Sequence, residues 1–207
     1  MVEEINRDLF DKARALFREI KEKIESNNNK PKVIEFERAI QKLVKDYNTA
    51  NRENRFVVGG ALEILFCTLL KSLGFQCKWL KETRYDIEVR GIKFSLKSNF
   101  INSGDIRLIN ILGNEKATWK EPTLFFISNI GICYADPLMG LQTKHTSDAL
   151  TIKFKTLKNL FENNRDLVIP ILIPKKLKNT ETIKIASYDV VKSILEEIDS
   201  QHLKKYL

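Results

Sequence analysis

Apolar and polar positions alternate most clearly over residues 84–97, Arg-Tyr-Asp-Ile-Glu-Val-Arg-Gly-Ile-Lys-Phe-Ser-Leu-Lys. The period of two predicts half-buried strands over 85–89 and 92–96. Arg90-Gly91 is the turn signal between them, because glycine tolerates the positive φ of a two-residue hairpin turn. Such a turn sets Val89 opposite Ile92, Glu88 opposite Lys93, Asp86 opposite Ser95 and Arg84 opposite Lys97. Arg84, Asp86, Glu88, Lys93, Ser95 and Lys97 then share one face, and Ile87, Val89, Ile92, Phe94 and Leu96 the other. Taken alone, this is an amphipathic hairpin with a solvated, salt-bridged face.

Helical spacing dominates the N-terminal part. Leu9, Ala13, Leu16, Phe17, Ile20 and Ile24 predict a helix over 3–26, which Ser26-Asn-Asn-Asn-Lys-Pro31 stops. A second helix is expected over 32–49, with Ile34, Phe36, Ile40, Leu43, Val44 and Tyr47 inward. The pair reads as a helical hairpin, either a packing element or a dimerisation arm. Asn51–Arg55 reads as a polar linker. A third helix, 59–73, is apolar nearly all round and capped by Gly74, so it belongs in the middle of the fold. Its first turns carry one carboxylate, Glu63. A buried carboxylate needs a cation, a hydrogen-bonding partner or a place near a helix N-terminus.

Short elements follow. Residues 75–81 predict a strand ahead of the hairpin, and 98–105 a polar loop containing glycine. Residues 106–112 are apolar apart from Arg107 and Asn110, and 114–122 is loop. Residues 123–134 are a buried strand pair or one long strand broken at Asn129–Gly131. Loop is expected over 135–147 and a helix over 154–162. Leu167–Pro174 reads as a strand that Pro170 pushes to an edge or an irregular position. A last helix runs from Ser187 or Asp189 to about Lys204.

Composition narrows the class. With 207 residues, 43% hydrophobic and 30% charged, the chain is expected to be a soluble globular protein. A net charge of +8 favours a polyanionic partner, nucleic acid first. Cys67, Cys77 and Cys133 are odd in number and match no metal or redox motif, which points to a reducing, cytoplasmic (intracellular) setting. The N-terminus does not read as a signal peptide, and no apolar run reaches the length of a membrane span.

A core helix with an acid, a short strand, a hairpin carrying Asp, then Ser-x-Lys and further strands form an order that resembles the PD-(D/E)xK, or restriction-endonuclease-like, nuclease superfamily. The matching positions are Glu63, Asp86 and Ser95-Leu96-Lys97. The intervals are 23 residues from Glu63 to Asp86 and 11 from Asp86 to Lys97, room for one helix, one strand and one tight hairpin. Tyr85 stands at the family's Pro, and Ser95 at its second metal-binding acid. The resemblance spans roughly residues 56–175. It implies an α/β fold with a mixed central β-sheet flanked by helices, a catalytic core over 56–207 and an N-terminal helical extension over 1–55.

The activity it implies is Mg²⁺-dependent hydrolysis of DNA phosphodiesters, most simply by a homodimeric type II restriction endonuclease acting on double-stranded DNA. Repair, junction-resolving and mobile-element nucleases share the fold, and a DNA-binding module with a decayed site is a further reading. Asp86 and Glu63 are the expected metal ligands, Glu63 standing in for the acid missing at Ser95. Asp105, Glu115 and Glu88 are the runners-up. Mg²⁺ is a hard cation that takes one or two protein carboxylates and keeps water. Lys97 is placed to orient or deprotonate that water or to stabilise developing charge. A Ser95–Lys97 hydrolase dyad is disfavoured, because a strand interior exposes a nucleophile poorly. Asn99, Asn102, Ser103, Arg107, Lys144 and His145 are candidate DNA contacts, since amides and arginine read base edges and lysine meets phosphate.

Overall fold

The computed structural model describes residues 7–47, 52–111, 117–175 and 187–207; nothing further is said of the side chains of residues 52–56 and 187. Three helices open the chain: α1 (Arg7–Glu25), α2 (Lys30–Asp46) and α3 (Arg52–Ser72). The apolar stripe of α1 is buried, with Phe10 in the core where Leu9 was expected. Pro31 does not simply end the first helix. It sits in the first turn of α2, where a missing N–H costs nothing. Phe36, Ile40, Leu43, Val44 and Tyr47 are buried as expected, whereas Ile34 is exposed and Glu35 is buried. Arg52–Arg55 is no linker either, because it forms the opening turns of α3.

Among the described residues the strands make two sheets. The larger has six strands in the order β1 (Cys77–Trp79), β2 (Ile87–Val89), β3 (Ile92–Asn99), β5 (Thr123–Ile127), β6 (Gly131–Ala135), β9 (Val168–Ile169). All neighbours are antiparallel except β3 and β5, so the sheet is mixed. The smaller sheet is antiparallel, with β8 (Ala149–Lys153) between β4 (Asp105–Asn110) and β7 (Thr143–His145). Two helices complete the chain, α4 (Phe154–Asn163) and α5 (Ser187–Glu197). The architecture is a mixed α/β fold with a mixed central sheet flanked by helices.

The β2–β3 hairpin forms in the expected register: Val89 pairs with Ile92 and Glu88 with Lys93. Arg90 and Gly91 both have positive φ, 48° and 81°, as a type I′ turn demands. Residues 123–134 resolve into the strand pair β5–β6 rather than one long strand. Gly131 between them cannot be replaced without movement, because a Cβ there would lie 2.1 Å from the Ile169 carbonyl oxygen. The expected strand after Leu167 shrinks to Val168–Ile169 at the sheet edge, as Pro170 foreshadowed.

Other expectations are corrected. The 135–147 stretch is not all loop, since Thr143–His145 forms β7, and β8 was not anticipated. The last helix ends at Glu197, short of Lys204. Cys67 and Cys77 are bonded to each other, with Cα atoms 5.6 Å apart, and Cys133 is free and buried. That pairing removes the cysteine argument for a reducing compartment.

One hydrophobic cluster runs through the whole. Phe17, Ile20, Phe36 and Ile40 of the first two helices belong to it together with Leu65 and Phe66 of α3 and Phe94, Phe126 and Ile132 of the sheet. Phe66 stands edge-on to Phe126 at 5.3 Å, which seats α3 on β5. Residue 55 lies within α3, and the core runs unbroken past it into α1 and α2. A pair between half-buried Arg14 and buried Asp136, 3.0 Å, joins α1 to the end of β6, and the Tyr134 hydroxyl donates to the same carboxylate at 2.8 Å. Among the described residues no helix is long and apolar enough to cross a membrane.

Candidate active site

The polar face of the hairpin ends beside α3. Asp86 enters β2 with its N–H donating to the Phe94 carbonyl, which fixes it opposite Ser95. Its Oδ2 accepts the Leu96 N–H at 2.5 Å and the Ser95 hydroxyl at 3.2 Å. Lys97 Nζ donates to Ser95 Oγ at 2.7 Å and lies 3.7 Å from Asp86 Oδ2. Asp86, Ser95 and Lys97 therefore form one connected chain, as the two-residue turn requires. Ser95 is buried at 4% exposure, whereas Asp86 and Lys97 keep 20% and 23%. Solvent reaches the charged groups and not the hydroxyl, which speaks against Ser95 as a nucleophile.

Glu63 completes the group from the helix side. It sits in the middle of α3, eleven residues past Arg52, so the helix N-terminus gives it no help. Its Oε2 accepts the Trp79 indole N–H at 2.8 Å. Burial and the negative charge of Asp86 push its pKa up to about 7, against the opposing pull of the Trp79 hydrogen bond and Lys97. The carboxyl is thus held where its charge is resisted, next to a second carboxylate.

The part of the pattern that fails is Arg84. The paired strand β2 begins at Ile87, directly after Asp86, and the chain before Asp86 departs from the strand pattern. Arg84 reaches Glu121 at 3.8 Å, and Glu82 and Tyr85 both engage Lys93, by an ion pair at 2.7 Å and a ring contact. Lys93 pairs with Glu82 rather than with its register partner Glu88, which lies 3.6 Å from Lys78. Glu121 is a residue the sequence reading passed over. It is 3% exposed, precedes β5 and has one buried oxygen, Oε1, without a hydrogen bond. Only its closeness to the hairpin reveals it, and that depends on the β3–β5 pairing.

Of the acids weighed against Glu63, Asp105 opens β4 opposite Lys153, Glu88 lies toward the turn, and Glu115 is outside the described residues. Among the described residues no three His, Cys, Asp or Glu gather closely enough to hold a metal ion by themselves. Glu63 and Asp86 are two carboxylates. Neither Glu63 Oε1 nor Asp86 Oδ1 receives a hydrogen bond from the described residues, and neither is a buried orphan. A donor set of two carboxylates fits Mg²⁺, which takes one or two protein carboxylates, retains waters and draws further oxygens from a phosphate.

The candidate DNA contacts separate into groups. Asn99 is buried and spends its side chain on the turn that follows β3, accepting from the Ile101 and Asn102 N–H groups and donating to the Ser103 carbonyl at 3.0 Å. Asn102 has φ of 56° and a buried, unpartnered Oδ1, and Ser103 is exposed beside it. Arg107 and Lys144 both sit opposite Thr151 of β8 and so share a face of the small sheet. Arg107 is paired with Asp148 at 2.5 Å. His145 lies on the other face, against a cavity of about 210 Å³ lined also by Trp119, Pro137 and Leu150. Comparison with known proteins adds no relative: no family model, no curated protein and no solved structure matches the chain.

Proposed function

We propose that the chain is a metal-dependent deoxyribonuclease with a restriction-endonuclease-like core, built on Glu63, Asp86, Ser95 and Lys97. The observation that carries this reading is the meeting of Glu63, from α3, with Asp86 and Lys97, from the hairpin. A solvated salt bridge explains Asp86 and Lys97 but not a second carboxyl beside them, half-buried and pushed to about 7. Glu63 and Asp86 would hold a divalent cation there, which would supply positive charge and lower the pKa of a bound water.

The chain's own residues take the other roles. Asp86 and Glu63 offer one free oxygen each. The Leu96 N–H and the Ser95 hydroxyl hold Asp86 by Oδ2, which leaves Oδ1 without a hydrogen bond from the described residues. Ser95 contributes no charge, so its place in the site is to orient Lys97 and Asp86. Lys97 Nζ, held by Ser95, is the proton-accepting or charge-stabilising group. With only two acids the site depends on the phosphate for further metal oxygens, so metal and DNA are expected to bind cooperatively. Arg107 and Lys144 on the small sheet, with Asn102 and Ser103 in the preceding turn, are the proposed DNA-facing groups. A homodimer acting on a short palindrome is the simplest organisation for such a compact chain.

The test is incubation of long double-stranded DNA with the protein and Mg²⁺, read on a gel. Discrete fragments are the expected result for a restriction endonuclease, and a smear identifies a nuclease without site preference. Intact DNA across Mg²⁺ and Mn²⁺ concentrations refutes the assignment.

A further inference from the structure

Two cross-links join α3 to β1, and they are in step. On the helix, Glu63 and Cys67 are one turn apart, about 6 Å along the axis on one face. On the strand, Cys77 and Trp79 are two residues apart, about 7 Å on one face. Cys67 is bonded to Cys77, and Glu63 accepts the Trp79 indole N–H at 2.8 Å. The covalent rung lies one step from the polar rung. Beyond it, the Leu80 N–H donates to the Asp86 carbonyl at 2.9 Å, so β1 also fixes the start of β2. β1 is only three residues long and is the edge strand of its sheet. With a single neighbouring strand, it has little else to hold its register against α3.

We propose that the Cys67–Cys77 bond is a redox-controlled brace, which presents Trp79 to Glu63 and thereby holds Glu63 beside Asp86 and Lys97. Cys67, Cys77 and Trp79 are positioning residues in this account. The proposal rests on the nuclease reading only for its consequence, since the brace itself is a matter of helix, strand and side-chain geometry. Opening is thiol–disulfide exchange. Two equivalents of a small thiol such as glutathione reduce the bond through a mixed disulfide, giving two protein thiols and one oxidised glutathione. Closure reverses this, and the two protein thiol protons leave on the two released glutathione thiols. Both cysteines are buried, at 2% and 6% exposure, so exchange proceeds through local opening of the edge strand.

Released from the brace, β1 frays from α3 and the hydrogen bond from the Trp79 indole to Glu63 opens. The test is hydrogen exchange of the full chain followed by nuclear magnetic resonance at one pH, reading the two tryptophan indole N–H signals in oxidised and in reduced glutathione buffer. Trp119, whose indole donates to Thr123 Oγ1, is the internal reference. The Trp79 indole is expected to exchange about ten-fold faster or more in the reduced chain, and in Cys67→Ser/Cys77→Ser, than in the oxidised chain, while Trp119 is unchanged. Trp79 in Glu63→Ala is expected to exchange fast in both redox states, which assigns the protection to that hydrogen bond.

Equal protection of the Trp79 indole in both redox states, or none in either, overturns the brace. Reduction of the unmodified chain gives the comparison even where the double variant does not fold. Cleavage measured on the same samples separates the two claims. Redox-dependent Trp79 protection without cleavage in either state upholds the brace and refutes the nuclease. Cleavage that responds to redox state while Trp79 protection does not refutes the brace alone.

Discussion

Two carboxyl groups, Glu35 on α2 and Glu63 on α3, are removed from water in opposite ways. Glu35 is 8% exposed and accepts hydrogen bonds from the Ser200 hydroxyl, the Gln201, His202 and Leu203 N–H groups and the His202 ring. Burial pushes its pKa up, but those bonds outweigh burial and the net direction is down. Glu63 receives one hydrogen bond and faces another carboxylate, and its pKa rises to about 7. The first carboxylate is saturated by the C-terminal turn that it organises. The second is left short of positive charge in a place that solvent reaches. A saturated buried acid is a structural clasp, and the unsatisfied one beside a lysine is the acid that we propose to be a metal ligand.

The comparison can be broken at several points, and the largest effect belongs to Lys97. Lys97→Ala is expected to lower Mg²⁺-dependent cleavage by about a thousand-fold or more while the fold persists, as circular dichroism and cleavage rates will show. Activity within a few-fold of the parent removes Lys97 from the chemistry. Glu35→Ala is expected to leave the rate per folded molecule unchanged and to cost about 3 kcal/mol, because several N–H groups lose their acceptor together. A melting scan should show that as a fall of about 6–12 °C.

The pH dependence of stability should have opposite signs at the two groups. Glu63 is raised above its ordinary value of 4.5, so its contribution is complete below about 4.5 and is lost as pH rises through about 7. The loss is on the order of 3 kcal/mol without metal, and Glu63→Gln should flatten it in denaturant titrations run from pH 4 to 8. Glu35 is lowered, so its contribution is present above about 4.5 and fades as pH falls through its depressed value. Glu35→Gln should flatten that acid limb instead. If both substitutions act on the same limb, the contrast fails. The smallest effect concerns the small sheet. Arg107→Ala and Lys144→Ala should each weaken DNA binding across sequences and reduce the salt slope by about one. Arg107 should matter less of the two, since Asp148 already offsets its charge.

The legibility of these parts in the sequence follows from how local their causes are. Asp86, Ser95 and Lys97 could be set in register from a two-residue turn and a period of two, and the strands paired that way. Arg84 departed from the pattern because the period holds only while the strand is paired, and the chain before Asp86 is not. Glu63 was visible as a lone acid on an apolar helix, but of the environments open to it the place near the helix N-terminus is excluded. The helix begins at Arg52 and not at Gly59, which moves Glu63 from the first turns to the middle.

Glu35 was invisible. Ile34 beside it carries the apolar signal, yet the partners that let Glu35 be buried are residues 200–203 of the C-terminal turn, some 165 positions away. The Cys67–Cys77 bond was hidden similarly. Its loop of ten residues follows no metal or redox spacing, and only the crossing of α3 over β1 brings the sulfurs together. β7 and β8 were missed because β7 is exposed along its whole length and so lacks alternation.

The claim at the centre is that Asp86 belongs to a metal-dependent nuclease site. Its most direct test is cleavage of plasmid DNA by the parent chain and by Asp86→Asn, each with and without Mg²⁺, at matched folded concentration. The account predicts cleavage by the parent only when Mg²⁺ is present, and none by Asp86→Asn in either condition. Equal cleavage by the variant, or cleavage by the parent that persists in chelator, would contradict it.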